Sequence, residues 1–93
     1  MSSNYNPKAS TRIVFREEGD EALLFDPDTG AVKVLNETGK FIWSNLDGSA
    51  SLEILVQKIM DAFDTSDENK IKEDLEKFIA ELKKLKFLDE DES

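Results

Sequence analysis

The chain has 93 residues, 39% of them hydrophobic, and its 21 acidic and 12 basic side chains give a net charge of −9. This size predicts one domain with a single core, and the negative field disfavours binding to nucleic acid or anionic membranes. No apolar run approaches the roughly 20 residues that span a bilayer, and the chain shows neither cysteine nor a signal peptide, so we expect a cytoplasmic protein.

The first half of the chain is predicted to form three short strands, at residues 12–16, 21–25 and 31–35. Residues 17–20 form a turn that contains a glycine. In the second turn, Pro27 suits the first corner and Gly30 suits the left-handed position that follows. Short strands joined by tight turns predict an antiparallel meander, in which strands one and three are the edges.

The second half is predicted to form three helices. Asn36 is a good N-cap for a helix that ends near residue 46, before Asp47 and Gly48. Apolar residues on one stripe predict a second helix over residues 52–63 and a third from about 67 to 86. Between them, Thr65 and Glu68 have the spacing of a capping box.

The predicted order is β-β-β-α-α-α, an α+β fold of the winged-helix type with a three-stranded antiparallel sheet followed by three helices. Residues 11–88 form the expected domain. Residues 1–10 are polar and contain a proline, which indicates a flexible N-terminal tail. Residues 89–93 are mostly acidic and repel one another, which indicates a second tail.

Catalytic chemistry is poorly represented. The chain has no histidine and no cysteine, no serine lies in a G-x-S-x-G context, and its four glycines are isolated. Asp26, Asp28 and Glu37 have the first, third and twelfth positions of a calcium loop, but Ala31 replaces its glycine, so a plain hairpin turn is favoured. We expect a protein that is not an enzyme and needs no metal or cofactor.

Three binding functions remain open. A winged-helix transcription regulator is the main alternative, although the helix starts at residues 49–53 and 65–69 are uncharged or acidic. A structural domain whose open strand edge pairs with itself is another. The favoured hypothesis is peptide binding, because strand three and the long last helix would form a groove where a peptide can add as a strand.

Residues 12–88 resemble the PqqD family, the stand-alone form of the recognition element of ribosomally made, post-translationally modified peptides (RiPPs). Its hairpin, strand–helix junction and closing helix are similar to the segments Leu23-Leu-Phe-Asp-Pro-Asp-Thr-Gly30, Val34-Leu-Asn-Glu-Thr-Gly39, Phe41-Ile-Trp43, Leu46-Asp-Gly48, Leu52-Glu-Ile-Leu-Val56, Phe78-Ile-Ala-Glu-Leu82 and Phe87-Leu88. One departure is Lys86, which stands where the family pattern often has glycine.

The resemblance implies a peptide chaperone that catalyses nothing. The leader part of a precursor peptide adds as a strand beside strand three, and the chaperone presents the precursor to a radical S-adenosylmethionine (SAM) enzyme or a leader peptidase. Carried onto this chain, the implied peptide-binding residues are Ala31, Val32, Lys33, Val34 and Leu35 on strand three, and Ile71, Asp74, Leu75 and Phe78 on the last helix. Alternation divides strand three into two faces, and either could line the groove.

Overall fold

A computed structural model describes residues 6–63 and 67–89 of the chain. Its elements, in chain order, are β1 (Val14–Glu18), β2 (Glu21–Phe25), β3 (Val32–Leu35), α1 (Glu37–Ser44), α2 (Leu52–Phe63) and α3 (Glu68–Leu85). The α+β class and the β-β-β-α-α-α order are confirmed, whereas the winged-helix label stays a prediction. Among these helices, none is long and apolar enough to cross a membrane.

The three strands form one antiparallel sheet in the order β1-β2-β3, as the meander predicts. The predicted bounds of β2 are confirmed, but the prediction for β1 is wrong at both ends, because this strand starts at Val14 and ends at Glu18. The reason lies before the strand. The backbone N–H of Ile13 donates to the carbonyl of Ser10 in a turn, and the Ile13 side chain is buried in the core.

The hairpin between β2 and β3 closes one residue before the observed start of β3. The N–H of Asp26 donates to the carbonyl of Ala31, and Gly30 takes the left-handed conformation with φ 82°. This is the role that the sequence predicts for Gly30, since a residue without Cβ adopts that conformation without strain. Ala31 therefore belongs to the turn, and β3 begins at Val32.

Helix bounds follow the caps. The N-cap is Asn36 in α1, as predicted, and Asp67 in α3. The prediction that α1 reaches residue 46 is wrong, because Asn45 caps the helix and donates its N–H to the carbonyl of Ile42. The bounds of α2 are confirmed. The predicted capping box depends on Thr65, which lies outside the described residues.

Part of the expected N-terminal tail packs against the domain. Pro7 is fully buried, and the N–H groups of Ala9 and Ser10 donate to the carbonyls of Leu46 and Phe87 at 2.7 and 2.9 Å. These two bonds tie the segment before β1 to the segment between α1 and α2 and to the segment after α3. Residues 1–5 and 90–93 of the two expected tails lie outside the described residues.

The core lies between the inner face of the sheet and the three helices. Its largest fully buried apolar side chains are Leu24, Leu35, Leu55, Leu75, Leu82 and Phe87. Every helix and the last two strands contribute residues to the buried cluster. Helix α3 contributes one stripe of buried residues, and the adjacent flank of this helix borders the edge of the sheet.

Candidate functional site

The outer edge of β3 is open within the described part of the chain, since β3 pairs only with β2 on its other side. An open edge offers backbone N–H and C=O groups that lack a partner strand. Which residues offer them follows from the hydrogen bond that closes the hairpin.

In an antiparallel pair, opposite residues alternate between hydrogen-bonded and non-hydrogen-bonded pairs. The bond from the N–H of Asp26 to the carbonyl of Ala31 makes these two a hydrogen-bonded pair. Along the register, Lys33 opposite Leu24 is then hydrogen-bonded, whereas Val32 opposite Phe25 and Val34 opposite Leu23 are not. The backbone N–H and C=O groups of Val32 and Val34 therefore point away from β2, to the open edge.

A groove of about 530 Å³ lies between this edge and α3. Its lining comes from β3, the start of α1, one flank of α3 and the start of β2: Glu21, Lys33, Val34, Leu35, Asn36, Thr38, Gly39, Ile42, Asp74, Lys77, Phe78 and Glu81. The mixture of apolar walls and charged rims, beside an unpaired strand edge, has the shape and chemistry of a site for an extended peptide.

The side chain of Lys33 on β3 contacts two residues of α3. Its ammonium lies 2.7 Å from Oε1 of Glu81 and 5.4 Å from the centroid of the Phe78 ring. The side chain of Lys33 is only 14% exposed, while that of Glu81 is 57% exposed. The inner face of the edge strand is therefore occupied by a charged pair stacked on an aromatic ring, rather than by an open apolar surface.

The junction of β3 and α1 holds the end of the groove. Oδ1 of Asn36 accepts a hydrogen bond of 2.8 Å from the N–H of Gly39, which fixes the first turn of α1 directly after the strand. A Cβ at position 39 would lie 3.3 Å from Cβ of Leu35. Glycine at this position therefore lets α1 approach the end of β3 closely.

The structure brings five of the nine predicted site residues to the groove, namely Lys33, Val34, Leu35, Asp74 and Phe78. The other four do not border it. Ala31 closes the hairpin, and Val32 lies next to it at the start of β3, outside the groove lining. Ile71 packs against the core, and Leu75 is completely buried within it.

The position of Leu75 has a simple cause. Leu75, Ile79 and Leu82 form the buried stripe of α3, and Asp74 and Phe78 lie one residue before the first two of these, on the adjacent flank of the helix. The wall of the groove is therefore that flank, and Leu75 holds the helix in place from behind.

Sequence reasoning missed seven lining residues: Glu21, Asn36, Thr38, Gly39, Ile42, Lys77 and Glu81. For α3, a signal existed, because Asp74, Lys77, Phe78 and Glu81 are spaced three, one and three residues apart and share one helix face. The contribution of the first turn of α1 had no comparable signal, since it depends on how closely the helix approaches β3.

The hairpin that leads into β3 is held by a buried carboxylate. Asp26 accepts a hydrogen bond of 2.9 Å from the N–H of Asp28 and lies 3.2 Å from the Arg12 guanidinium, which also donates to the carbonyl of Lys86. Burial raises the pKa of Asp26, but the hydrogen bonds from Asp28 and Thr29 and the charge of Arg12 outweigh it, so the pKa is lowered overall.

Two of the residues that match the pattern of a calcium loop form ion pairs with one arginine. Asp26 and Asp28 are both paired with Arg12, at 3.2 and 3.5 Å. Within residues 6–63 and 67–89, no group of three or more acidic side chains could hold a metal ion. The turn at residues 26–30 is a hairpin turn, as favoured from the sequence.

Comparison with known proteins gives a family and a fold. The family model described as "Coenzyme PQQ synthesis protein D (PqqD)" matches residues 21–88. A solved structure of TbiB1 in complex with the TbiA(beta) leader peptide is 27% identical and superposes with a TM-score of 0.77, over 92% of this chain and 99% of that chain. No curated protein matches the chain. The fold is thus shared over nearly the whole length of both chains.

Proposed function

The chain belongs to the PqqD family, and from this premise we propose that it binds the leader segment of a ribosomally made precursor peptide. The observation that carries the proposal is the open edge of β3 beside the groove that α3 borders. The similar structure of TbiB1 supports it, because that protein holds a leader peptide.

Binding by strand addition uses the backbone of β3 first. An incoming strand pairs with the outward N–H and C=O groups of Val32 and Val34, which supplies affinity without regard to sequence. Every second side chain of the leader then faces the groove, where it meets Lys33 and Phe78 and the rim formed by Asp74. Leu35 and the first turn of α1 close one end.

The bound precursor is then presented to a tailoring enzyme, for which a radical SAM enzyme or a leader peptidase is the proposed partner. In this scheme the protein itself catalyses nothing and uses no cofactor. Its task is to raise the local concentration of the precursor and to hold the leader extended, so that the modified segment reaches the enzyme.

DNA binding is the weaker alternative. The net charge of −9 opposes approach to phosphates. The start of α2 also lacks basic side chains and carries Glu53, and at the start of α3 Lys70 stands beside Glu68 and is paired with Asp74. A recognition helix needs basic or amide groups at these positions.

Calorimetry with a synthetic leader tests the proposal. The probe is the N-terminal segment of a short precursor peptide encoded beside the gene for this chain, called the cognate leader below. We expect micromolar or tighter binding that changes little between low and high salt, because pairing of neutral backbone groups releases few counterions. No heat and no NMR shifts at millimolar leader would refute leader binding, and steep loss of binding with salt would refute backbone pairing as the main source of affinity.

A further inference from the structure

The outer face of the sheet, opposite the core, carries an apolar patch. Opposite residues in antiparallel strands share a face, so Val14, Phe25 and Val32 form one row, and Leu23 and Val34 belong to the next. Val14 and Phe25 are 46% and 40% exposed, and exposure rises to 52% and 56% at Val32 and Val34 on the open edge. No helix of the described chain covers this face.

The two most exposed residues of the patch are the same two whose backbone groups point to the open edge. A strand that pairs with Val32 and Val34 lies about 4.8 Å away, and its side chains opposite these valines stand on the outer face beside them. Any peptide added at β3 therefore places every second side chain next to these apolar rows, on the outer face.

The inner face of the same edge favours a different side chain. There the position between the valines is Lys33, whose ammonium is paired with Glu81 and stacked on Phe78. A large apolar side chain opposite Lys33 would remove water from this charged pair without replacing its hydrogen bonds, which is unfavourable. Apolar side chains of the peptide are stabilised better on the outer face than at this inner position.

We propose that the bound leader carries strand-favouring apolar side chains at two positions, two residues apart, that pack on the outer face of the sheet against Val32 and Val34. The inference rests on the proposed function and deepens it, because it states which residues of the leader are read and on which side. The side chain between the two faces Lys33 and is polar. The leader is thus recognised from both faces of the added strand.

The test uses calorimetry with the cognate leader and three forms of the full chain. The variant Val32→Thr/Val34→Thr replaces two exposed methyl groups by hydroxyls and keeps β-branched residues in the strand. Val14→Thr is the matched control, since Val14 lies on the same face at the far edge. We expect the double variant to raise the dissociation constant by about 5- to 20-fold, because the valine methyl groups are no longer buried against the leader. The control should stay within about twofold.

A second readout does not depend on the variants. In the complex with wild-type protein, we expect nuclear Overhauser contacts between leader methyl groups and the methyl groups of Val32 and Val34. The inference would be overturned if the double variant bound the leader as tightly as wild type does. It would also be overturned if the leader methyl groups contacted only Phe78 and Ile42. In both cases leader binding itself stands. A leader that does not bind wild-type protein would instead remove the proposed function itself.

A second copy of the chain is the competing occupant, because two β3 edges paired with each other would also cover the valines. Sedimentation of the protein without leader distinguishes the two. We expect a monomer at all concentrations, for wild type and double variant alike. A wild-type dimer that the double variant abolishes would overturn the proposal in favour of self-pairing.

Discussion

Replacing Val34 by proline removes one backbone donor at the place where the leader is proposed to bind. Because Val34 is a non-hydrogen-bonded partner of Leu23, its N–H takes no part in the β2–β3 ladder. Proline is tolerated on an edge strand when its missing N–H faces solvent. Lys33 before it remains extended, as a residue before proline prefers. We therefore expect Val34→Pro to fold.

The expected loss of affinity follows from the hydrogen bond that proline deletes. A leader carbonyl that paired with the N–H of Val34 is left unsatisfied at a partly dry edge, at a cost of about 1–3 kcal/mol. This corresponds to roughly 5- to 150-fold in the dissociation constant. The pyrrolidine ring also occupies space at the edge and hinders the approach of a strand.

Calorimetry with the cognate leader measures this loss, and circular dichroism checks the fold. The matched control is Phe15→Pro. By the same alternation, the N–H of Phe15 points away from β2, but at the opposite edge of the sheet. Phe15→Pro should bind the leader as wild type does. A folded Val34→Pro with wild-type affinity, or equal losses in both variants, would refute strand addition at β3.

Three further predictions concern stability, each measured by urea unfolding. Lys86 caps α3 in the left-handed conformation with φ 64°, so Lys86→Gly should stabilise by about 0.5–1 kcal/mol, and destabilisation would contradict this account of the cap. Leu75→Ala should destabilise by about 2–5 kcal/mol because Leu75 is fully buried, while the affinity of the folded fraction for leader stays unchanged; a weakened affinity would place Leu75 at the groove. The lowered pKa of Asp26 contributes stability that is present above the unfolded pKa of about 3.9 and is lost as pH falls through the folded pKa. The stability advantage of wild type over Asp26→Asn should therefore shrink below about pH 4, and a constant difference would contradict it.

Local patterns in the sequence predicted the elements that local forces determine. The apolar run of β2 between two turns and the apolar stripe of α2 gave the correct bounds, and Asn36 and Gly30 have the roles that their chemistry predicts. The departure at Lys86 from the family pattern also has a structural counterpart. This residue adopts the left-handed conformation that glycine takes most easily, so the position keeps its role although its side chain differs.

Features that depend on distant contacts could not be predicted in the same way. The start of β1 is delayed by a turn at residue 13, and residues 7–10 pack between two segments that the sequence does not place side by side. For the site, the sequence predicts the stripe of α3 and two residues of its flank, Asp74 and Phe78, but it assigns Leu75 to the wall and misses Lys77 and Glu81. The sequence also does not show which residues of β3 direct their backbone N–H and C=O groups to the open edge. That assignment follows only from the observed hydrogen bond between Asp26 and Ala31.

Amide hydrogen exchange of the chain, with and without saturating cognate leader, tests strand addition at β3 most directly. Only backbone groups that point to the open edge gain a partner from an added strand. We expect the amides of Val32 and Val34 to become strongly protected, with a smaller change at Lys33 and none at Phe15 on the other edge. Protection centred on β1 or on the start of α2, with Val32 and Val34 unchanged, would contradict the account.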